Sequence, residues 1–177
     1  MNKQILDKSF KPYLTQSNIA QAIERIANEI NQDFKDKNPL FIAILNGSFI
    51  FAADLFKKIN IPAEISFIKL ASYQGTKSTG NVITAIGLET DLYDRNVIVL
   101  EDIIDTGKTL SAFLPQLEHQ QPKSLKVCAL LHKKEATQYP INIDYLGFEI
   151  PDLFVVGYGL DYNGFGRNLD QIMQIDE

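Results

Sequence analysis

The four apolar residues Val97-Ile98-Val99-Leu100 run straight into the acidic pair Glu101-Asp102, followed by Ile103, Ile104 and the turn Asp105-Thr106-Gly107-Lys108-Thr109. A β-branched apolar run of this kind reads as a parallel strand buried on both faces. The turn after it offers hydroxyls and backbone N–H groups at the start of an expected helix, which are the components of a phosphate cradle. Three carboxylates beside an anion site need a task for their charge. The usual tasks are holding a divalent cation, accepting from sugar hydroxyls, or moving a proton. The stretch therefore predicts a site for a sugar phosphate.

Two other readings compete. Gly107-Lys108-Thr109 matches the tail of the Walker A pattern G-x-x-x-x-G-K-[ST]. The first glycine of that pattern would fall at position 102, which is Asp102. A carboxylate there would stand where backbone must wrap a phosphate, so the P-loop reading is poor. In the second reading, Asp102 and Asp105 cap a helix in an acidic, solvated turn that has no ligand.

At 177 residues the chain suits one domain, 1–177, with a sizeable core. Its apolar fraction of 45% and charged fraction of 22% are ordinary for a soluble globular protein. A net charge of −5 argues against nucleic acid as the main partner. The segment from Met1 to Lys11 is neither a signal peptide nor a membrane span, and no apolar run approaches membrane-spanning length. The only cysteine, Cys128, lies in an apolar run and has no partner for a disulfide, so a reducing, cytoplasmic location and a core role are expected. His119 and His132 lack metal-ligand spacing, and no G-x-S-x-G elbow is present.

Ile19, Ala22, Ile23, Ile26, Ala27 and Ile30 recur at helical spacing after a Ser17 or Asn18 cap. Leu40 to Leu45 is a short apolar run ending in Asn46-Gly47-Ser48, with a helix expected from Phe49 to Lys58. Glu64 to Tyr73 reads as a strand, and Gln74 to Asn81 as a mobile loop rich in glycine and hydroxyls. A helix from Thr109 to His119 carries Pro115, which costs about 3 kcal/mol unless the helix kinks or restarts. Leu125 to Leu131 and Phe154 to Tyr158 are further buried-strand candidates. Strands alternating with helices suggest a parallel sheet with crossover helices, whose ligands gather at the strands' carboxyl ends. Asn46, Glu101 and His132-Lys133 all fall at such ends.

The run from Glu101 to Thr109 is similar to the phosphoribosyl pyrophosphate motif of the type I phosphoribosyltransferases, in the variant seen in hypoxanthine (hypoxanthine-guanine) phosphoribosyltransferases. The likeness extends from about Leu40 to Leu169. It implies an α/β fold: a central, mainly parallel sheet flanked by helices, with a small hood made from the chain ends. It also implies purine salvage, with Mg2+-dependent transfer of a phosphoribosyl group to hypoxanthine, and to guanine, by a cytoplasmic homodimer or homotetramer. Membranes and nucleic acid are not expected partners.

Residue by residue, the resemblance places the sugar phosphate on Glu101, Asp102, Asp105, Thr106, Gly107, Lys108 and Thr109. Amides and hydroxyls of the turn seat the phosphate, and Glu101 and Asp102 face the ribose hydroxyls directly or through a cation. Asp105 is assigned as general base, and Lys108 lends positive charge. Asn46 and Gly47 resemble the pyrophosphate loop, although a lysine often stands where Asn46 does. Lys69 and Arg167 are then the candidates for making up the missing charge. Ser72 and Tyr73 open a segment like the family's flexible loop, able to close over the site and exclude water. For the purine, Lys133 matches the donor to the 6-oxo group, Phe154 the stacking aromatic, and Val155 the residue whose backbone reads the base edge. Asp161 looks like the residue near the pyrophosphate-side metal, giving Glu101, Asp102 and Asp161 as metal candidates. Without a ligand, Phe154 would be core, Asp161 a turn former, and Lys69 and Arg167 surface cations. Gly147 to Asp152 is also characteristic of the family, with no chemical role beyond positioning the strand that follows. Two other classes remain: a regulatory module that binds the activated ribose without turnover, and a transferase for xanthine or a pyrimidine.

Overall fold

The computed structural model describes residues 1–73 and 82–176. Its first helix, α1 (Gln16–Asp33), forms because the six apolar residues picked out by spacing share one face, and all six are buried. The cap lies earlier than Ser17 or Asn18. Thr15 accepts from the Asn18 amide at 3.2 Å, and the Asn18 side chain accepts from the Thr15 amide at 3.1 Å. Asn18 is thus the inner half of a capping box rather than the cap itself.

Six strands make the central sheet: β3 (Leu40–Leu45), β4 (Glu64–Tyr73), β5 (Val82–Ile86), β6 (Asn96–Ile104), β7 (Ser124–His132) and β8 (Tyr145–Glu149). Their order is β5-β4-β3-β6-β7-β8, and only β5 runs antiparallel to its neighbour. Phe41, Ala43, Ile98 and Leu100 pack on one side with α1 and with α2 (Phe49–Phe56). Ile42, Ile44, Val97 and Val99 pack on the other with Leu110, Phe113 and Leu117 of α3 (Lys108–Glu118). Alternate residues of each strand therefore enter different cores, which is why the strands read as unbroken apolar runs. Cys128 is fully buried in β7, where burial pushes its thiol pKa far up and keeps it protonated.

The α/β expectation holds, with two corrections to element boundaries. Strand β6 does not stop at Leu100: Glu101, Ile103 and Ile104 remain in register with Ala129, Leu131 and His132 of β7. The acidic pair is consequently built into the strand rather than into the turn after it. Of Phe154 to Tyr158, only β9 (Val155–Val156) is extended, and it belongs to a second sheet. That sheet, with β1 (Lys3–Ile5), β2 (Lys8–Leu14) and β10 (Ile172–Ile175), is antiparallel in the order β1-β2-β10-β9. It packs around Ile5, Phe10, Val156 and Met173 and stands as the hood. The loop expected from Gln74 to Asn81 lies outside the described residues; Ser72 and Tyr73 belong to β4 by backbone pairing.

Pro115 sits inside α3, which runs as one element past it, with the His119 amide donating to the Pro115 carbonyl at 3.0 Å. The ring still removes one helical donor and crowds the preceding turn. Replacing Pro115 by Ala is expected to stabilise the protein by up to about 3 kcal/mol. Thermal unfolding checks this, and an unchanged or lower Tm would contradict it.

Candidate functional site

From β3 the chain crosses through α2 to β4 on one side, then returns to place β6 on β3's other side. Loops leaving the carboxyl ends of β3 and β6 therefore diverge, and the crevice between them is where open α/β sheets bind ligands. A cleft of about 310 Å³ lies there, lined by Leu45, Leu70, Glu101, Asp102 and the turn from Asp105 to Thr109.

On the β3 side, Ser48 is buried and its hydroxyl donates to the Ile44 carbonyl at 2.6 Å, closing the 46–48 turn onto its own strand. The Leu45–Asn46 peptide is cis. A Cβ on Gly47 would overlap the carboxylate of Asp102, and one on Gly159 would overlap the carbonyl of Gly47. The turn, the end of β6 and the hood segment thus meet with no space for side chains between them. Gly47 was expected to admit a ligand; the structure adds that Asp102 itself requires a glycine there. Lys69 is exposed and sits opposite Leu45 in the β3–β4 register, one residue from Asn46.

On the β6 side, Gly107 caps α3 with φ +79°, a left-handed conformation that favours glycine. The cap position is Gly107, which has no side chain to bond the helix, so neither Asp102 nor Asp105 is its cap, contrary to the ligand-free reading. The turn is held from behind instead: the Thr106 carbonyl accepts from the amides of Gln138 and Tyr139 at 3.0 and 2.9 Å. Thr106 Oγ1 accepts from the Lys108 amide at 3.3 Å, and Lys108 and Thr109 are exposed. The first-turn amides of α3 have no carbonyl within the helix to bond, and the helix dipole adds positive potential there. This is a seat for an anion.

Asp102 is buried and Glu101 half-buried. Burial pushes the Glu101 carboxyl well above the usual carboxylate range, reinforced by the hydrogen bond and charge of Asp102. A carboxyl buried beside another carboxylate resists ionising unless a cation or hydroxyl donors arrive. Among the described residues no group of three or more His, Cys, Asp or Glu is placed to hold a metal. Asp161 is bonded instead to Arg167 and to the Gly164 amide. A pair of carboxylates without a third protein ligand suits Mg2+, which keeps waters and takes its remaining ligands from substrate oxygens.

Of the residues expected on the base side, Lys133 is 7% exposed. Its Nζ lies 3.2 Å from Asp105 Oδ2 and 3.0 Å from Asp152 Oδ1. Phe154 is 44% exposed and so is not core. It is braced edge-on by Tyr162 at 5.8 Å and at a tilt by Phe10 at 6.2 Å between ring centroids. Val155 lies in β9 beside it. Arg167 and Asp161 pair with each other: the guanidinium donates to Asp161 Oδ1 at 2.7 Å and to the Gly159 carbonyl at 2.8 Å. Asp161 Oδ2 also accepts from the Gly164 amide at 2.7 Å, which fixes a tight turn. Asp152 and Gly159 were not found as site residues from the sequence. Only Asp152 carried a signal, through its place in the Gly147–Asp152 run. A larger cleft of about 640 Å³ between α1, α2 and residues 168–170 contains none of the expected residues. Its Asp54 is bonded to Lys57 and Tyr158, and its Lys58 to Glu24.

Residues 9–163 match the phosphoribosyl transferase domain, and the chain belongs to the phosphoribosyltransferase family. Its relatives narrow this to one branch. It is 43% identical over 170 residues to the hypoxanthine phosphoribosyltransferase of Buchnera aphidicola subsp. Schizaphis graminum, covering 94% of this chain and 96% of that one. It is 35% identical over 177 residues to the hypoxanthine-guanine phosphoribosyltransferase of Aquifex aeolicus, covering 99% of both. The crystal structure of a hypoxanthine-guanine phosphoribosyltransferase from Bacillus anthracis superposes with a TM-score of 0.86 at 35% identity, covering 94% of this chain and 98% of that one.

The raised Glu101 pKa has a consequence for stability. Because the folded state holds this proton more tightly than the unfolded chain, stability falls as pH rises from the unfolded value through the folded one. In the ligand-free protein, Glu101→Gln is therefore expected to raise Tm at neutral pH, with the gain shrinking below about pH 4, where both forms are protonated. A Tm difference that does not vary with pH would contradict the assignment.

Proposed function

We propose that this protein is a purine-salvage enzyme that transfers the 5-phosphoribosyl group from phosphoribosyl pyrophosphate to hypoxanthine, and to guanine, releasing pyrophosphate. The observation that carries the reading is the pairing, across one cleft, of an anion-seating helix start with two carboxylates in need of hydroxyl or cation partners. The sugar's phosphate sits on the amides and hydroxyls of Thr106 to Thr109, and its vicinal hydroxyls face Glu101 and Asp102. Mg2+, held by Glu101 and Asp102 together with substrate oxygens, would neutralise charge on the departing pyrophosphate.

The amides of Gly47 and Ser48, the amide side chain of Asn46 and the nearby Lys69 receive the leaving group. Arg167 contributes through its ion pair with Asp161, which fixes both side chains beside Gly159. Phe154 offers a flat, exposed face for the purine, worth about 1–3 kcal/mol and indifferent to base identity. Lys133 supplies the selection, since a donor aimed at an oxo group disfavours adenine. The base loses its ring proton to Asp105 as it attacks the anomeric carbon.

The chain is read as one domain, 1–177, acting in the cytoplasm; among the described residues no helix is long and apolar enough to cross a membrane. A homodimer or homotetramer is proposed from α2, which is apolar at every position but Asp54 and yet leaves Phe49 41% exposed, with Phe67 of β4 equally exposed. Phe49→Glu is expected to shift the protein to a smaller species in sedimentation velocity, and an unchanged sedimentation coefficient would remove this face from consideration.

Nucleotide formation from each purine, with phosphoribosyl pyrophosphate and Mg2+, tests the function. Binding of the activated ribose without product would favour the regulatory module instead. Asp105→Asn is expected to lower kcat by about 10²–10⁴-fold while affinity for phosphoribosyl pyrophosphate changes far less. Equal losses in both would remove the proton-acceptor role.

A further inference from the structure

Lys133 is shared between two carboxylates that the transfer reaction would use differently. Its ammonium is nearly buried, whereas the side chains of Asp105 and Asp152 are 51% and 62% exposed. The main chain around it is fixed: its amide donates to the Ile104 carbonyl at 2.9 Å, and its carbonyl accepts from Thr137 Oγ1 at 3.1 Å. Any rearrangement at this point therefore falls to the side chain.

The Lys133 ammonium occupies Asp105 Oδ2, an oxygen that the ring N–H of the base needs to approach. Lys133 must also give up that contact to reach an oxo group on the base. One exchange meets both needs. The ammonium has three hydrogens, so it can drop Asp105, take up the oxo oxygen, and keep Asp152 throughout. With no second carboxylate, the same move would leave a nearly buried cation facing only a neutral acceptor, which is costly. Asp152 also lies two residues before Phe154, so one short segment carries both the tether and the stacking ring.

We propose that Asp152 is a positioning residue for base transfer, holding Lys133 in place while its ammonium exchanges Asp105 for the 6-oxo oxygen of the incoming purine. No proton moves in the exchange, and Lys133 stays charged. In the transfer that follows, the base nitrogen gives its proton to Asp105 and bonds the anomeric carbon as the bond to pyrophosphate breaks. The inference rests on the transferase reading above.

The test compares the wild-type full chain with Asp152→Asn and Asp152→Glu at saturating phosphoribosyl pyrophosphate and Mg2+, using hypoxanthine and unsubstituted purine, which lacks the oxo group. For Asp152→Asn, the KM for hypoxanthine should rise about tenfold or more, and the preference for hypoxanthine over purine should narrow by a similar factor. The KM for phosphoribosyl pyrophosphate should stay within about twofold, and Asp152→Glu, which restores the charge, should recover most of the loss. An unchanged hypoxanthine KM, equal losses for both bases, or a parallel rise in the KM for phosphoribosyl pyrophosphate would overturn the proposal. Wild-type protein that forms no nucleotide would remove the transferase reading itself, whereas a working wild type with an indifferent Asp152→Asn variant removes only the Asp152 role.

Discussion

The contact on which the site depends is the one between Gly47 and Asp102. The Asp102 carboxylate occupies the space a side chain at position 47 would need, and the Gly47 carbonyl in turn occupies the space beside Gly159. Three segments that are distant in sequence are thereby brought into close contact at the point where the sheet's winding reverses. The relative placement of the 46–48 turn, the acidic end of β6 and the hood follows from that lock. A close-packed interior passes displacement on rather than absorbing it, so a shift at any one of the three would be felt at the other two.

The same crevice concentrates electrostatic tension. Glu101 and Asp102 stand together with too little water, and Lys133 is drawn off by two carboxylates. The acidic pair is not what a sequence optimised for stability alone would choose, whereas Lys133 is satisfied as it stands. Such local cost is the usual trade between a restful fold and a working site.

Much of this was legible in advance, and the parts that were not share a cause. The apolar runs 40–45 and 97–100, the helical spacing in 19–30 and the turn 105–109 all report local periodicity, and each element appears close to where its pattern lies. The acidic pair and the 105–109 turn were visible because they are contiguous. Strands β1, β2, β8 and β10 went unassigned because they are short, partly exposed and stabilised by partners far along the chain. Asp152 escaped notice as a site residue for the same reason: its partner Lys133 is 19 positions away, and only the β7–β8 register brings the two together. The pairing of Arg167 with Asp161 was hidden in another way, since both read as independent charges until a turn made them neighbours.

The hood's second and third strands, β2 and β10, come from opposite ends of the sequence, with Leu14 set against Ile172 and Phe10 against Ile175. A ribosome emits β2 long before β10, so the hairpin of β1 and β2 waits, unpaired along one edge, until β10 has emerged. The half formed by the 46–48 turn and the end of β6 can assemble from contacts made along the way, while the wall bearing Phe154 closes only when β10 pairs with β2. Birth order thus divides the crevice into an early half and a late one.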